Sequence, residues 1–406
     1  MVFFRASMWA SSKYIGVMSF AAMLALLRGF AVAGILDIAS FGLYATILAT
    51  GMFLSVLVSF GEIERTIKSF PRLWMVEKFR RTVVDRADKS AKIMVLRSAG
   101  VVLLLVACGF FDALKYFSEM GIFAVLIALN VALSSLYASA IRATGEIELL
   151  ARNTLIRAVL VIFFGLLGAC LFGWKGAIIG EVAAAMLGAL ITRYSVAQKA
   201  PTQKHDDGLV ESSGKDDADG LLVDRGLWLF WAGLLASAPV YLDRAFVASV
   251  LGSNVVGTFG FLMLFVTGAN ALTGIISQKI GPQLIKMQHL GDSLGKQIRF
   301  AVRWLLVIWV MCVTGIAMAS LSFFFEPAQY FFEKFELNSG LIFATAAMSL
   351  LQVGVVLEFV LISRNHERAV FFTACGYLGT AGMAAFFVFL MGLPLLSLLW
   401  GLVIAK

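Results

Sequence analysis

Arg28, Asp243 and Arg244 stand in stretches that are otherwise almost wholly apolar, and ionisable groups in that setting are functional candidates by default. Arg28 comes 14 residues after Tyr14, where a first hydrophobic run begins, so a helix would carry it about 21 Å along its axis. That is past the middle of an apolar layer about 30 Å thick. A guanidinium presents fixed donors that match phosphate oxygens, so the chemistry on offer is recognition of an anionic, phosphate-bearing group. The competing reading is that each arginine snorkels to the interface with its stem along lipid. Asp243 reads either as a structural counter-ion to Arg244 or as a proton carrier in ion-coupled transport. Glu181 and Glu358 offer the same proton chemistry; an interfacial placement is equally open for Glu181 and favoured for Glu358. Arg142, Arg157 and Arg364 fall at the ends of hydrophobic runs. Positive-inside anchoring explains them, with attraction of an anionic phosphate group at the cytoplasmic face as a second role.

Other chemistries lack their residues. His205, His289 and His366 all fall between the runs, so no intramembrane general base of that type is present. There is no GxxxxGK[ST] stretch for direct use of ATP and no HExxH. Cys108, Cys170, Cys312 and Cys375 sit inside apolar runs without metal-binding or redox spacing. No metal, cofactor or enzymatic activity is expected.

The elements that must position these residues follow from composition. The chain has 406 residues, 60% hydrophobic and only 14% charged, with 35 Phe. Its mean hydropathy is +0.91. Those proportions exclude a soluble globular protein, a largely disordered chain and a soluble nucleic-acid binder. About twelve runs are long enough for spanning helices. They cover roughly 14–35, 41–60, 93–111, 120–140, 155–172, 176–194, 227–250, 256–276, 298–325, 341–363, 369–390 and 393–405, the last being short. The loops after even-numbered runs hold most of the Lys and Arg, including Arg65, Arg80, Arg81, Lys199, Lys279 and Arg368. The odd loops contribute only Lys115, Lys175 and Lys334. The formal charge of +8 therefore reads as positive-inside bias, with both termini in the cytoplasm. The first run is expected to be a retained helix and not a cleaved signal peptide. Asn130, Ser134, Ser135 and Tyr137 add polarity to the fourth run, for helix–helix hydrogen bonds or substrate contact. Gly376, Gly379 and Gly382 form a small-residue stripe that suggests close packing.

The segment 200–225 is polar, acidic and poor in aromatics, and it divides the chain into an N-terminal bundle, 1–199, and a C-terminal bundle, 226–406. The halves look like weak repeats. With LDIASFGLYA (36–45) laid on LGSNVVGTFG (251–260), Leu36 meets Leu251, Gly42 meets Gly257 and Tyr44 meets Phe259. In the same register Arg28 is the counterpart of Asp243. The expected fold is an all-α integral membrane protein of about twelve helices in two six-helix bundles. A pseudo-twofold axis along the membrane normal would relate them.

The stretches LLRGFAVAGIL, FGLYA and GEIERTI, with YASAIRATGEIELLARNTLIRA (137–158) and YLDRAFVASVLGSNVVGTFGF (241–261), resemble the Wzx-type O-antigen and polysaccharide flippases. These belong to the multidrug/oligosaccharidyl-lipid/polysaccharide exporter superfamily. The resemblance implies a bacterial inner-membrane protein that translocates a polyprenyl-diphosphate-linked oligosaccharide between leaflets by alternating access. Its implied partners are that lipid-linked glycan, membrane lipids, and glycan polymerase and chain-length proteins. It also implies a central cavity faced by the first and seventh helices, across which Arg28 and Asp243 would approach each other and Arg244 would leave a second cation. Two alternatives stay open: an ion-coupled multidrug or metabolite exporter of the same superfamily, and a membrane-embedded glycosyl- or acyltransferase.

Overall fold

A computed structural model describes residues 2–63, 66, 70, 80–108, 115–144, 146–199, 223–241, 243–289, 292–321, 326–351, 360–361 and 366–405. Among them there is no strand. The first half holds α1 (Val2–Ile35), α2 (Ile38–Ser59), α3 (Arg80–Cys108), α4 (Lys115–Thr144) and α5 (Ile147–Lys199). The second holds α6 (Val223–Tyr241), α7 (Asp243–Leu251), α8 (Ser253–His289), α9 (Leu294–Leu321), α10 (Glu326–Lys334), α11 (Ser339–Leu351), α12 (Glu367–Met391) and α13 (Leu395–Ala405).

The turns that join α1 to α2, the two arms of α5, α7 to α8 and α12 to α13 are short, and the end they mark is here the short-turn end; the opposite helix ends, which among the described residues carry Arg80, Arg142 and Lys199, are the basic end. At the first turn the Asp37 carboxylate accepts the Ser40 N–H at 3.2 Å and caps α2. Phe60, in the left-handed region, closes the other end of that helix. α5 joins the fifth and sixth runs. Its two arms meet at Phe172 and at Gly173, whose φ of 63° favours glycine. The arms lie so close that a Cβ on Gly176 would sit 2.2 Å from the Gly168 carbonyl oxygen, and one on Gly180 2.1 Å from that of Phe164. Glycine spacing therefore sets this hairpin.

The seventh run is described on either side of residue 242, as α6, which holds Pro239 within it, and α7, and together they agree with that run. Two elements depart from the sequence reading. The loop expected over 326–340 contains α10, whose apolar side turns into the molecule. The Gly376, Gly379 and Gly382 stripe has open space where each Cβ would lie, on exposed positions, so it makes no close helix contact.

Among the described residues nine helices are long and apolar enough to cross a membrane, and two shorter apolar ones, Ser339–Leu351 and Leu395–Ile404, accompany them. The Glu148–Lys199 stretch is long enough to cross twice, which restores the expected dozen. α13 has 11 described residues, about 16 Å of helix, less than a full span. Large apolar side chains such as Phe163 and Phe372 are more than 60% exposed. Water would penalise so much bare apolar surface, whereas lipid does not. The chain is a multi-pass membrane protein.

The helices pack as two groups. In the first, α2 and α3 pack on α4, and α1 and α4 on α5; in the second, α6 packs on α12, α8 on α11, and α13 on both α11 and α12. The seam between them is made by α1 and α2 against α6, α7 and α8. That is the arrangement expected from a pseudo-twofold relation between the first two and the seventh and eighth runs. At the seam a Cβ on Gly257 would meet the Ile38 carbonyl oxygen at 2.3 Å. The start of α2 and the first turn of α8 thus approach closely at Gly257.

Candidate functional site

Arg28 of α1 donates from Nη1 to Oε2 of Glu181 at 2.9 Å. Glu181 lies on the second arm of α5, 153 positions away, and its other oxygen, Oε1, accepts the Tyr44 hydroxyl from α2. Three helices therefore converge on one carboxylate. The reason lies in the hairpin: Gly165 on the first arm leaves room for the Glu181 stem, which a Cβ there would meet at 3.3 Å. The ion pair is largely enclosed, with side-chain exposures of 19% for Arg28 and 8% for Glu181. Arg157, on the first arm, lies within electrostatic range of Arg28, and its stem crosses Gly188. The cluster thus holds two guanidiniums, one carboxylate and a phenol. With Glu181 ionised, one positive charge is left over. Among the described residues, the Nε of Arg28 is buried without a hydrogen-bond partner.

The second half carries a separate group. Asp243, buried at the start of α7, accepts the backbone N–H of Arg244 on Oδ1 at 2.6 Å. Tyr241 of α6 and Tyr377 of α12 lie within electrostatic range of it. The carboxylate that the structure pairs with Arg28 is Glu181, and the groups acting on Arg28 are Glu181 and Tyr44, both from its own half.

The remaining expected residues divide. Arg142 lies at the end of α4 on the basic side, exposed, with Tyr14 in range. Glu358 and Arg364 lie outside the described residues. Arg193 grips Asp88 through Nε at 2.8 Å and Nη2 at 2.7 Å, and Tyr137 donates to the same carboxylate at 3.0 Å. This staples α3, α4 and α5 at the basic end. Asn130 donates to the Leu126 carbonyl of its own helix. No group of His, Cys, Asp and Glu among the described residues could hold a metal ion.

Two functional positions had little sequence signal. Tyr44 was visible only as one letter of a turn motif; a hydroxyl in a helix as apolar as α2 was the available clue. Lys334 looked like an ordinary loop lysine. It instead crosses the seam and donates to the carbonyls of Ala33 at 2.8 Å, Gly34 at 3.1 Å and Leu36 at 2.7 Å. These are among the carbonyls that the end of α1 leaves unpaired. Beneath it, Phe261 stacks on Phe335 at 4.5 Å and on Phe331 at 5.5 Å, while Phe30 meets Phe261 and Phe41 meets Phe335 edge-on from the other half. Lysine and rings together close the short-turn end of the seam.

A two-bundle membrane fold with polar clusters inside each half defines the class, and solved structures show which fold it is. The chain has the fold of MATE transporters of the MOP superfamily. It is similar to an outward-facing multidrug resistance MATE family transporter (TM-score 0.63, 15% identity, covering 98% of this chain and 92% of that one). An inward-facing structure of such a transporter matches with TM-score 0.62, 16% identity and coverage of 95% and 91%. A MOP superfamily transporter from Pyrococcus furiosus, reported to have a binding pocket of reversed polarity that suggests a different function, matches with TM-score 0.60, 17% identity and coverage of 97% and 92%. No protein-family model matches the chain. No curated protein matches it either.

Proposed function

We propose that the protein is an alternating-access flippase that moves a polyprenyl-diphosphate-linked oligosaccharide from the cytoplasmic to the periplasmic leaflet of a bacterial inner membrane. The observation that carries this reading is the enclosed guanidinium of Arg28 in the first half, held by the carboxylate of Glu181 and with its buried Nε lacking a hydrogen-bond partner among the described residues. Arginine donors fit phosphate oxygens in pairs, and a low-dielectric surround strengthens the attraction. Arg244 adds a cation in the second half. In this reading both termini are cytoplasmic, the short-turn end faces the periplasm, and residues 1–199 and 226–406 rock against each other about the seam, joined by 200–225. Lys334 and the phenylalanines then seal the periplasmic side, and Arg142 and Arg157 face or flank the side from which the substrate arrives, the role that the sequence also suggests for Arg364. Fold alone does not choose a substrate.

The rival is export of a cationic drug or metabolite coupled to an ion, favoured by the buried acids Glu181 and Asp243 and by the multidrug transporters among the structural neighbours. In that case the acids, and not the arginines, hold the cargo. Lipids from cells lacking the gene separate the two. The flippase reading predicts accumulation of the lipid-linked glycan in the inner leaflet, relieved by the intact gene and not by an Arg28→Ala copy. Unchanged lipids and surface glycan, in cells with no second flippase, would favour the exporter.

A further inference from the structure

The guanidinium that an anionic substrate needs is already occupied. Glu181 takes Nη1 of Arg28 with one oxygen and the Tyr44 hydroxyl with the other, so both of its oxygens are engaged inside the bundle. We propose that Glu181 is a built-in substitute for the substrate's anionic group, displaced from Arg28 when that group binds, with uptake of one proton. The proposal rests on the anion-binding reading above and extends it to the charge balance of the transport step.

The argument is electrostatic and local. Two anions beside one guanidinium repel strongly where water is scarce. Removing the cation from a buried carboxylate leaves it uncompensated, a state that costs several kcal/mol and that protonation relieves. A phosphate-type anion drawn to Arg28 therefore favours the protonated form of Glu181. The displaced carboxyl keeps a partner, because the Tyr44 hydroxyl can donate to it or accept from it. The groups that face Glu181 are Arg28 from α1 and Tyr44 from α2, while Arg157 on the first arm of α5 lies within electrostatic range of Arg28. Among the described residues, neither α4 nor α8 adds a charged group acting on Glu181. The balance is one anion and one proton in, with the Arg28–Glu181 bond broken and an Arg28–anion bond formed. Proton and anion thus bind together. In a cation exporter built on Glu181 they would compete, since cargo and proton would seek the same carboxylate.

The sign follows from linkage. If binding takes up a proton, affinity rises as pH falls, by up to about tenfold per pH unit for one proton, until Glu181 is protonated in the empty protein. The probe is farnesyl-diphosphate-linked N-acetylglucosamine, a diphosphate diester that does not itself titrate near neutral pH. Its binding to the full chain in lipid nanodiscs is measured by calorimetry across the neutral range, in buffers of different ionisation enthalpy so that proton uptake is counted directly. The expected result is about one proton taken up per probe bound to the natural protein. Glu181→Gln should bind about tenfold or more tighter at neutral pH, with no proton uptake and a flat pH profile. Arg28→Ala should lose binding. Proton-free, pH-independent binding to the natural protein overturns the proposal while leaving the anion site standing. Absence of binding to both the natural protein and Glu181→Gln overturns that site as well. Should Glu181→Gln fail to fold, the proton count on the natural protein alone decides.

Discussion

Arg28 and Glu181 each stabilise a charge the other would leave stranded. Breaking a buried pair by removing one partner costs about 3–5 kcal/mol, whereas removing both is often nearly neutral. Arg28→Ala should therefore destabilise the protein, and Arg28→Ala with Glu181→Gln should recover most of the loss without recovering transport. Thermal unfolding in detergent of the two single variants and the double checks this; additive losses would show that the two side chains do not depend on each other. Arg28→Lys should keep the stability and lose most of the substrate affinity, since an ammonium offers a point charge where a guanidinium offers a fork. At this scale the sequence was informative about identity and silent about partners. Arg28 and Glu181 both stood out as charges in apolar runs. Their contact spans 153 positions and depends on how α5 folds back, which no local pattern encodes. The repeat register suggested Asp243 in its place because it compares positions within equivalent helices and carries no information on the packing of α5 against α1.

At the scale of elements, the hairpin of α5 is the part that places Glu181. Its arms approach backbone to backbone at Gly168, Gly176 and Gly180. Gly176→Val should push the arms apart, lower the amount of folded protein and abolish transport. Gly376→Ala, at an exposed position with open space around it, should do neither; quantitative expression in membranes compares them. The helices themselves were plain from hydrophobic run length, because each must cross the same apolar thickness. The helix α10 was less plain, being too short and too mixed in composition to register as a span. Yet α10 supplies Lys334, whose three hydrogen bonds join the halves. Hydrogen bonds to a charged group contribute about 1.5–3 kcal/mol each. Lys334→Met should loosen that end of the seam. With the four native cysteines replaced, spin labels at Phe172→Cys and Met391→Cys should report a population with longer distances than in the protein that keeps Lys334. An unchanged distance distribution would show that the lysine is not what holds the ends together.

At the scale of the whole molecule, the two halves meet along α1 and α2 against α6, α7 and α8, and the short-turn end of that seam is filled by side chains from both. The same fold serves outward-facing and inward-facing transporters, to which the chain is about equally similar. Under the proposed alternating access, a bundle pair closed at one end is one state, and the other would separate Phe30 and Phe41 from Phe261 and Phe335. Aromatic pairs of this kind are worth about 0.5–1.5 kcal/mol each beyond their buried area, so a bound substrate's preference for the other state can outweigh them. The central claim is that this machine carries an anionic diphosphate and not a cation. Proteoliposomes containing the purified chain, loaded with a fluorescent polyprenyl-diphosphate sugar, test it most directly through the fraction of probe that changes leaflet with time. Translocation by the natural protein, lost with Arg28→Ala and unaffected by an excess of a lipophilic cation, is the predicted result. Translocation of the cation in place of the diphosphate, retained in Arg28→Ala and lost in Glu181→Gln, would contradict it.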